Sequence, residues 1–447
     1  MRLLTVTILC LCIYWTQAAA SEKMSLGDCM LYAIENSADI QIISSELDDR
    51  RLSRRDAILQ AFTPEISAGT NAYSNFGRSV DPETNTYVST TSFNNGYNIS
   101  GSIMIFDGFS AINNMKISKV AMQMGFCQKQ LEEDRLCLAV MEAYCNAVYY
   151  HKLAEICQNQ TVTAQKSLKL TKEQEKLGQK GYADVIEMEA ELSSREYSLV
   201  EAQNKYKDAI LTLKALMFWP MNKDLDIDTS IAEIQPTDNF TPYNLTQPSD
   251  SLAQRQPSVI IAGYKLKNAK TELNDAKWKF TPRIGISAGW STNYYTYPGQ
   301  LIHTPSFSSQ FANNGGEFIQ ITLSFPIFNR LQTFSNLKRK KNAYDRAVLQ
   351  YEKNKREIQA EMTRTMQDCN GASAAFDKAD RMAERQKESY RINVRKFEQG
   401  LISPIDFRKA SDNWLEAESV RLNAILTLHI KQSVVKYYNG IRYIYQQ

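Results

Sequence analysis

The chain has 447 residues, 43% of them apolar, and a formal net charge of +3. Near-neutrality over such a length argues against a nucleic-acid partner, which would show as clustered basic surface. Beyond the first 20 residues no stretch reaches about 18 uncharged apolar residues, so no transmembrane helix is predicted; strands, in which only alternate residues need face lipid, stay open.

Residues 1–20 read as a secretion signal. Arg2 supplies the positive start, Leu3 to Trp15 an apolar core too short to span a bilayer, and Ala18-Ala19-Ala20 the small-residue cleavage site. Leu11 precedes Cys12 and Asp28 precedes Cys29, where a lipoprotein would carry a small residue, so no lipid anchor is expected. Cys10 and Cys12 leave with the signal. The spacings of Cys29, Cys127, Cys137, Cys145, Cys157 and Cys369 fit no metal site; these residues are read as small apolar fillers of helix–helix grooves, with a disulfide in an oxidising compartment as the alternative.

Ser25 to Ala61 keeps helical spacing of apolar residues, and Thr63-Pro64 ends it. A strand is predicted over about 64–76, where Ile66, Ala68, Thr70 and Ala72 oppose Ser67, Asn71 and Asn75. After a turn-rich loop a second strand is predicted over about 97–106, and then a helical hairpin over about 108–217. Its first arm carries no proline and only Gly125 from Ser110 to Lys176. Residues 218–250 hold Pro220, Pro236, Pro242 and Pro248 and read as a partly irregular belt segment packed outside the helices.

The pattern then repeats. After a helix from about 251, strands are predicted over about 282–294 and 317–328, a helical hairpin over about 330–438, and a tail over 441–447. Trp290, Tyr294, Tyr295 and Tyr297 cluster at one strand end, as an interfacial aromatic girdle would. The landmarks recur about 220 residues apart. Phe62-Thr63-Pro64 matches Phe280-Thr281-Pro282, and Ile105-Phe106-Asp107-Gly108 matches Ile327-Phe328-Asn329-Arg330. Gly178 matches Gly400, and Asp184 matches Asp406. The fold class is therefore an α+β membrane protein made of a duplicated strand–strand–long helix unit. Residues 21–217 form the first repeat and residues 251–440 the second.

Four strands cannot stand alone in lipid, because open sheet edges leave backbone groups unpaired in hydrocarbon. Two copies would give an eight-stranded barrel, largely filled by its own side chains. Three copies would give 12 strands, which is favoured if the protein is a conduit.

The duplication, the two FTP junctions, the Phe-Asp-Gly exit turn and the paired Gly-x5-Asp tips resemble the TolC-like outer membrane efflux proteins over about Ser25 to Gly440. The resemblance implies a homotrimer in the outer membrane of a Gram-negative bacterium. It would share one 12-strand barrel above a long periplasmic helical barrel. It also implies an exit duct for efflux or type I secretion, served by a periplasmic adaptor protein and an inner-membrane pump. At the tips it points to Gly178, Gly181, Gly400, Leu401 and Ser403 for adaptor docking, and to Asp184 and Asp406 for a carboxylate ring at a pore constriction. The competing structural reading makes the glycines helix caps and the aspartates N-terminal residues of the return helices. Lys409, beside Arg408, stands where a second acid can follow in the family, and Phe397 and Ile402 stand where some members carry polar groups that link neighbouring helices.

No catalytic or cofactor motif is present: His151, His303 and His429 are scattered, and there is no HExxH or GxSxG. The charged runs alternate in sign, as on solvated helix faces. A second reading, a periplasmic coiled-coil scaffold or adaptor without a pore, would share the hairpins but lack the strands.

Overall fold

The computed structural model describes residues 23–80, 85–89, 91–232, 250–298 and 304–446. The expected signal, positions 233–249 of the expected belt and His303 lie outside them. The chain divides into two compact units. One comprises residues up to Gln41 with Leu131–Ala253 and Gln359 onward; the other comprises Ile42–Gln130 and Gln254–Ile358.

In chain order the elements begin with α1 (Leu26–Asn36), α2 (Ala38–Phe62) and β1 (Glu65–Asn75). The short pair β2 (Arg78–Val80) and β3 (Tyr87–Ser89) precedes β4 (Ser92–Phe106), α3 (Ser110–Lys176) and α4 (Tyr182–Met217). Then come α5 (Asp250–Gln254), α6 (Pro257–Trp278), β5 (Arg283–Thr296), α7 (Phe307–Asn313), β6 (Gly316–Ser324), α8 (Gln332–Glu398) and α9 (Pro404–Tyr438). Helices α3 and α8 have 67 residues each, which at 1.5 Å per residue makes each about 100 Å long.

Ser25–Ala61 is not one helix. Ser25 opens α1 with a capping box, exchanging hydrogen bonds with Asp28. Ser37 then adopts extended backbone between α1 and α2. Asn36 and Ser37 are both poor helix formers, so the break falls at the weakest point of the stretch.

The second unit is organised by an antiparallel sheet in the order β1-β4-β5-β6. Both FTP junctions work alike. The Thr63 hydroxyl donates to Leu59 O (2.6 Å) and the Thr281 hydroxyl to Trp278 O (2.6 Å), closing the helix just before a proline that cannot continue it. Strand β4 starts five residues earlier than the sequence suggests. Asn94-Asn95-Gly96 looks like a turn, yet it lies between β1 and β5 and pairs with both: Asn95 sits opposite Ala72 and Tyr294. Strand β6 stops at Ser324, short of the expected 328, because Pro326 has no N–H for the ladder. The extra residue near Ile105 is a bulge between Met104 and Phe106.

The register aligns like with like. Ile66, Ala68, Ile99, Ile103, Ile286, Ala288, Ile319, Ile321 and Leu323 fall on one face. Ser67, Ser100, Ser102, Ser287, Gln320 and Thr322 fall on the other.

The first unit is held by a core in which α3 presents Cys137, Val140, Met141, Tyr144 and Val148 at helical spacing to α1, α4 and α9. Tyr144 donates its hydroxyl to Asp228 O (2.5 Å), pinning the segment after α4. Cys29, Cys137, Cys145 and Cys369 are free thiols within this core, and burial pushes the first three up to about 12. Residues 441–446, read from the sequence as a tail, dock against α3. Arg442 pairs with Asp134 and Glu133 (2.8 Å each), and Tyr443 stacks on Tyr437.

Candidate functional site

Two places in the chain carry the residues singled out by sequence: the hairpin tips of the first unit and the sheet of the second.

At both tips the helix ends in the same way. Gly178 N–H donates to Glu175 O and Gln179 N–H to Gln174 O, both at 2.9 Å. Gly400 N–H donates to Phe397 O (2.9 Å) and Leu401 N–H to Lys396 O (2.8 Å). These are Schellman caps, and φ is +72° at Gly178 and +74° at Gly400. A Cβ would meet nothing within 4 Å at either position. The left-handed backbone alone, not crowding, therefore selects glycine there.

The return helices start differently. At Ser403 the hydroxyl accepts from Asp406 N–H (3.2 Å) and donates to the Asp406 carboxylate (2.8 Å), with Pro404 in the first turn. At Gly181 there is no side chain to cap with, and the Gly181 N–H donates to Asp184 Oδ2 (3.1 Å). Asp184 and Asp406 thus both close the N-terminus of a return helix. Asp406 is exposed and Asp184 half-buried.

Around these turns four apolar side chains stand exposed among polar ones. Leu177, Tyr182, Leu401 and Ile405 are each more than half exposed. Behind them Met188, Phe397 and Phe407 form a small sealed core, with Ile402 packed against it and the two phenylalanine rings 4.8 Å apart. Phe397 and Ile402 therefore join the tips by packing.

Sequence reasoning missed the ionic ties between the two hairpins. Arg195 on α4 is 3% exposed, donates to Glu191 (2.6 Å) and reaches Asp412 on α9. Gln160 on α3 donates to Ser411 O (3.0 Å) beside them, and Arg408 pairs with Glu187 (2.9 Å). Burial pushes the Glu191 carboxyl above its ordinary range despite the Arg195 guanidinium. The only sequence signal was the four-residue spacing of Glu191 and Arg195, which reads equally well as a solvated helix face.

On the sheet the aromatic quartet is split. Trp290 and Tyr294 stand on the apolar face, where Phe311 and Phe307 of α7 pack on them at 5.7 and 5.3 Å. Tyr97 joins the same cluster. Tyr295 and Tyr297 are buried, with their rings 6.1 Å apart. The Gln310 side chain bonds both the N–H and the C=O of Tyr295, which is why α7 folds back onto the strand. Alternation puts Tyr295 on the face opposite Trp290.

Among the described residues no helix is long and apolar enough to cross a membrane, and no group of His, Cys, Asp and Glu could hold a metal ion.

Residues 249–434 match the outer membrane efflux protein family. Among solved structures, the chain is similar to the channel-forming protein CusC (TM-score 0.77, 14% identity, 93% of this chain and 92% of that one covered). It is similar to the outer membrane protein VceC of Vibrio cholerae (TM-score 0.73, 14% identity, 93% and 96% covered). It is also similar to the open state of the MtrE outer membrane channel of Neisseria gonorrhoeae (TM-score 0.74, 16% identity, 93% and 88% covered). No match is found among curated proteins.

Proposed function

We propose that this protein, whose residues 249–434 match the outer membrane efflux protein family and whose fold is similar to that of outer membrane channels, is a member of that family and the outer membrane exit duct of a tripartite export system. The observation that carries the reading is the sheet. A soluble sheet buries its apolar face, whereas here Ile66, Ile319 and Ile321 are 74%, 82% and 70% exposed. That face suits hydrocarbon, and the polar face opposite suits a water-filled lumen.

Strands β1 and β6 are the edges of the sheet. In lipid their free N–H and C=O groups need partners, which a second copy can supply by pairing its β1 with this β6. Three copies of the four-stranded sheet would make a 12-strand barrel with an open lumen, the homotrimer expected of this family. The long hairpins α3–α4 and α8–α9 then belong to the periplasm, with residues 1–20 as the export leader and residues 218–250 as the belt. Trp290 and Tyr294 serve as interface aromatics on the lipid side.

In this reading the turns at Gly178–Tyr182 and Gly400–Ile405, with their exposed Tyr182, Leu401 and Ile405, receive the periplasmic adaptor, and the inner-membrane pump delivers cargo through it. Asp184 and Asp406, tripled by symmetry, place carboxylates near the duct's narrow end. A channel needs no catalytic group, and both the family and the fold are those of channel proteins. A pore-free periplasmic scaffold would share the hairpins but would not expose a sheet face of isoleucines.

The test is single-channel recording from the purified mature protein in a planar lipid bilayer. Discrete conductance steps are expected, low or flickering if the tips rest closed. Folded protein that never inserts would overturn the duct reading in favour of the scaffold.

A further inference from the structure

Where β5 begins and β6 ends, the second unit holds an open cavity of about 380 Å³. Three cationic side chains line it: Lys279 after α6, Arg283 at the start of β5, and Arg339 on α8. Ser324, Asn329 and Asn336 also line it. Gln332, Asn336 and Arg339 follow one face of α8 at helical spacing, so the helix turns a continuous hydrogen-bonding stripe toward the cavity.

The charges in this cavity are not balanced. Lys279 donates to Ser110 Oγ (2.6 Å) and lies 3.5 Å from Asp275. Arg283 and Arg339 have no carboxylate partner among the described residues. Lys340, next to Arg339, is by contrast paired with Glu272 (2.6 Å). Elsewhere Arg195, Arg408, Arg421 and Arg442 all hold carboxylates. Two unpaired guanidinium groups converging on one cavity, with neutral hydrogen-bonding groups beside them, form a receptor for an oxyanion, because each fork can hold two oxygens at once.

The side of the sheet matters. Arg283 sits opposite Ser324, in line with Gly285 and Ser287, hence on the polar face. If the protein is the duct proposed above, that face is the lumen, and the cavity recurs in every copy of the trimer.

We propose that this cavity is a binding station for anionic cargo, holding a phosphate or polycarboxylate group as it passes from the helical part of the duct into the barrel. The site concentrates such cargo electrostatically, so its occupancy falls as salt rises.

The test is calorimetric titration of the folded full chain in detergent with inorganic tripolyphosphate, and separately with citrate. Saturable binding with one site per chain is expected, weakened roughly tenfold by the double change Arg283→Gln and Arg339→Gln, since each removes a fork. If the double variant does not assemble, Arg339→Gln alone, at an exposed helical position, carries the test. Binding of tripolyphosphate without citrate would narrow the cargo to phosphates, and the reverse to carboxylates. Binding unchanged in the variants would overturn the site.

Glu65 lies on the polar face of edge strand β1, and in a trimer it would come up beside β6 of the next copy. Absence of binding to the wild type, with binding uncovered by Glu65→Gln, would mean that the cavity seats a neighbouring carboxylate instead of cargo, and would also overturn the proposal. The duct reading is judged apart from this. A protein that binds tripolyphosphate but never conducts in a bilayer retains the anion site and loses the duct.

Discussion

The two repeats make the same turns with different residues. After β4 the chain runs Asp107-Gly108-Phe109, and in the second repeat Asn329-Arg330-Leu331. In each pair the last two residues have left-handed backbone, with φ of 71° and 60° in the first repeat and 54° and 61° in the second. Each turn is fixed by its first side chain. Asp107 accepts from Ala111 N–H (2.8 Å) and Asn329 from Thr333 N–H (3.3 Å). The glycine belongs to one copy only, because a Cβ on Gly108 would lie 2.6 Å from Trp278 O and 2.7 Å from Thr281 Oγ1. At the tips the reverse holds: glycine appears in both copies with open space around it. Conformation recurs between the repeats, while the residue that satisfies it is set by what each turn meets.

The largest asymmetry lies in the tie between α4 and α9. The first repeat contributes two buried charges, Glu191 and Arg195, and the second contributes Asp412, which is 57% exposed. Removing Arg195 leaves Glu191 buried without a counter-charge, so Arg195→Met is expected to cost about 3–5 kcal/mol. Removing the charge of the exposed partner with Asp412→Asn should cost far less, because solvent already screens it. Thermal unfolding of the two variants checks this, and equal losses would mean that the two repeats share the tie evenly.

The same pair has a pH signature. Burial holds the Glu191 carboxyl above its ordinary value, so in the interval between the ordinary and the raised value the folded state binds more protons than the unfolded one. Stability from this group therefore rises as pH falls through the raised value toward the ordinary one. The deficit of Arg195→Met should shrink at acid pH, where Glu191 becomes neutral. Thermal midpoints of both proteins at two pH values decide it, and a deficit independent of pH would exclude Glu191 as the cause.

Next in size is the exit turn. Gly108→Ala is expected to cost about 2–3 kcal/mol, from left-handed strain together with a clash against backbone that cannot move cheaply. Arg330→Gly should be neutral or stabilising by about 1 kcal/mol, since it relieves a positive φ. A denaturation series on both variants would break the comparison if the two glycine positions proved equally tolerant.

These asymmetries show what could be read in the sequence. The strand at Ile284-Ile286-Ala288-Trp290, the FTP junctions and the glycine caps are local: periodicity, a proline and a positive φ each leave a mark within a few residues. Strand β4 begins early because two neighbouring strands hold Asn94 and Asn95, and nothing within that segment distinguishes it from a turn. Tyr295 looks like its neighbour Tyr294, but alternation turns it to the opposite face and Gln310 of α7 ties its backbone. Arg195 and Asp412 are 217 residues apart, and each resembles any charge on a solvated helix until the hairpins are assembled. The tip residues occupied a middle ground. Their conformations were legible from the Gly and Asp spacing, whereas docking and constriction depend on copies and partners outside one chain.

A smaller effect separates the two return-helix starts. Ser403→Ala removes a side-chain cap and should cost about 1 kcal/mol, while Gly181→Ser, at a backbone of φ −85° and ψ 159° that any residue adopts, should gain a few tenths. Opposite shifts in the thermal midpoint are expected, and a loss at both positions would mean that Gly181 is required for something other than capping.

The last contrast is between the two aspartates that follow those caps. Asn keeps the shape and one oxygen acceptor of Asp, so neither Asp184→Asn nor Asp406→Asn should unfold a helix start, and if both aspartates line the proposed duct the change should appear in its conductance. Asp406 is exposed, with its carboxylate held among the described residues by Ser403, whereas Asp184 is half-buried and held by the Gly181 backbone. Three exposed carboxylates around one axis attract a multivalent cation more strongly than three withdrawn ones. Block of single-channel current by a trivalent cation should therefore weaken several-fold in Asp406→Asn and less in Asp184→Asn. Lys409, three residues along the same helix, reduces that charge, so the wild-type block should itself be modest and steeply salt-dependent. Unchanged block in Asp406→Asn would leave this aspartate as a helix-starting residue alone and would move the constriction elsewhere along the tips.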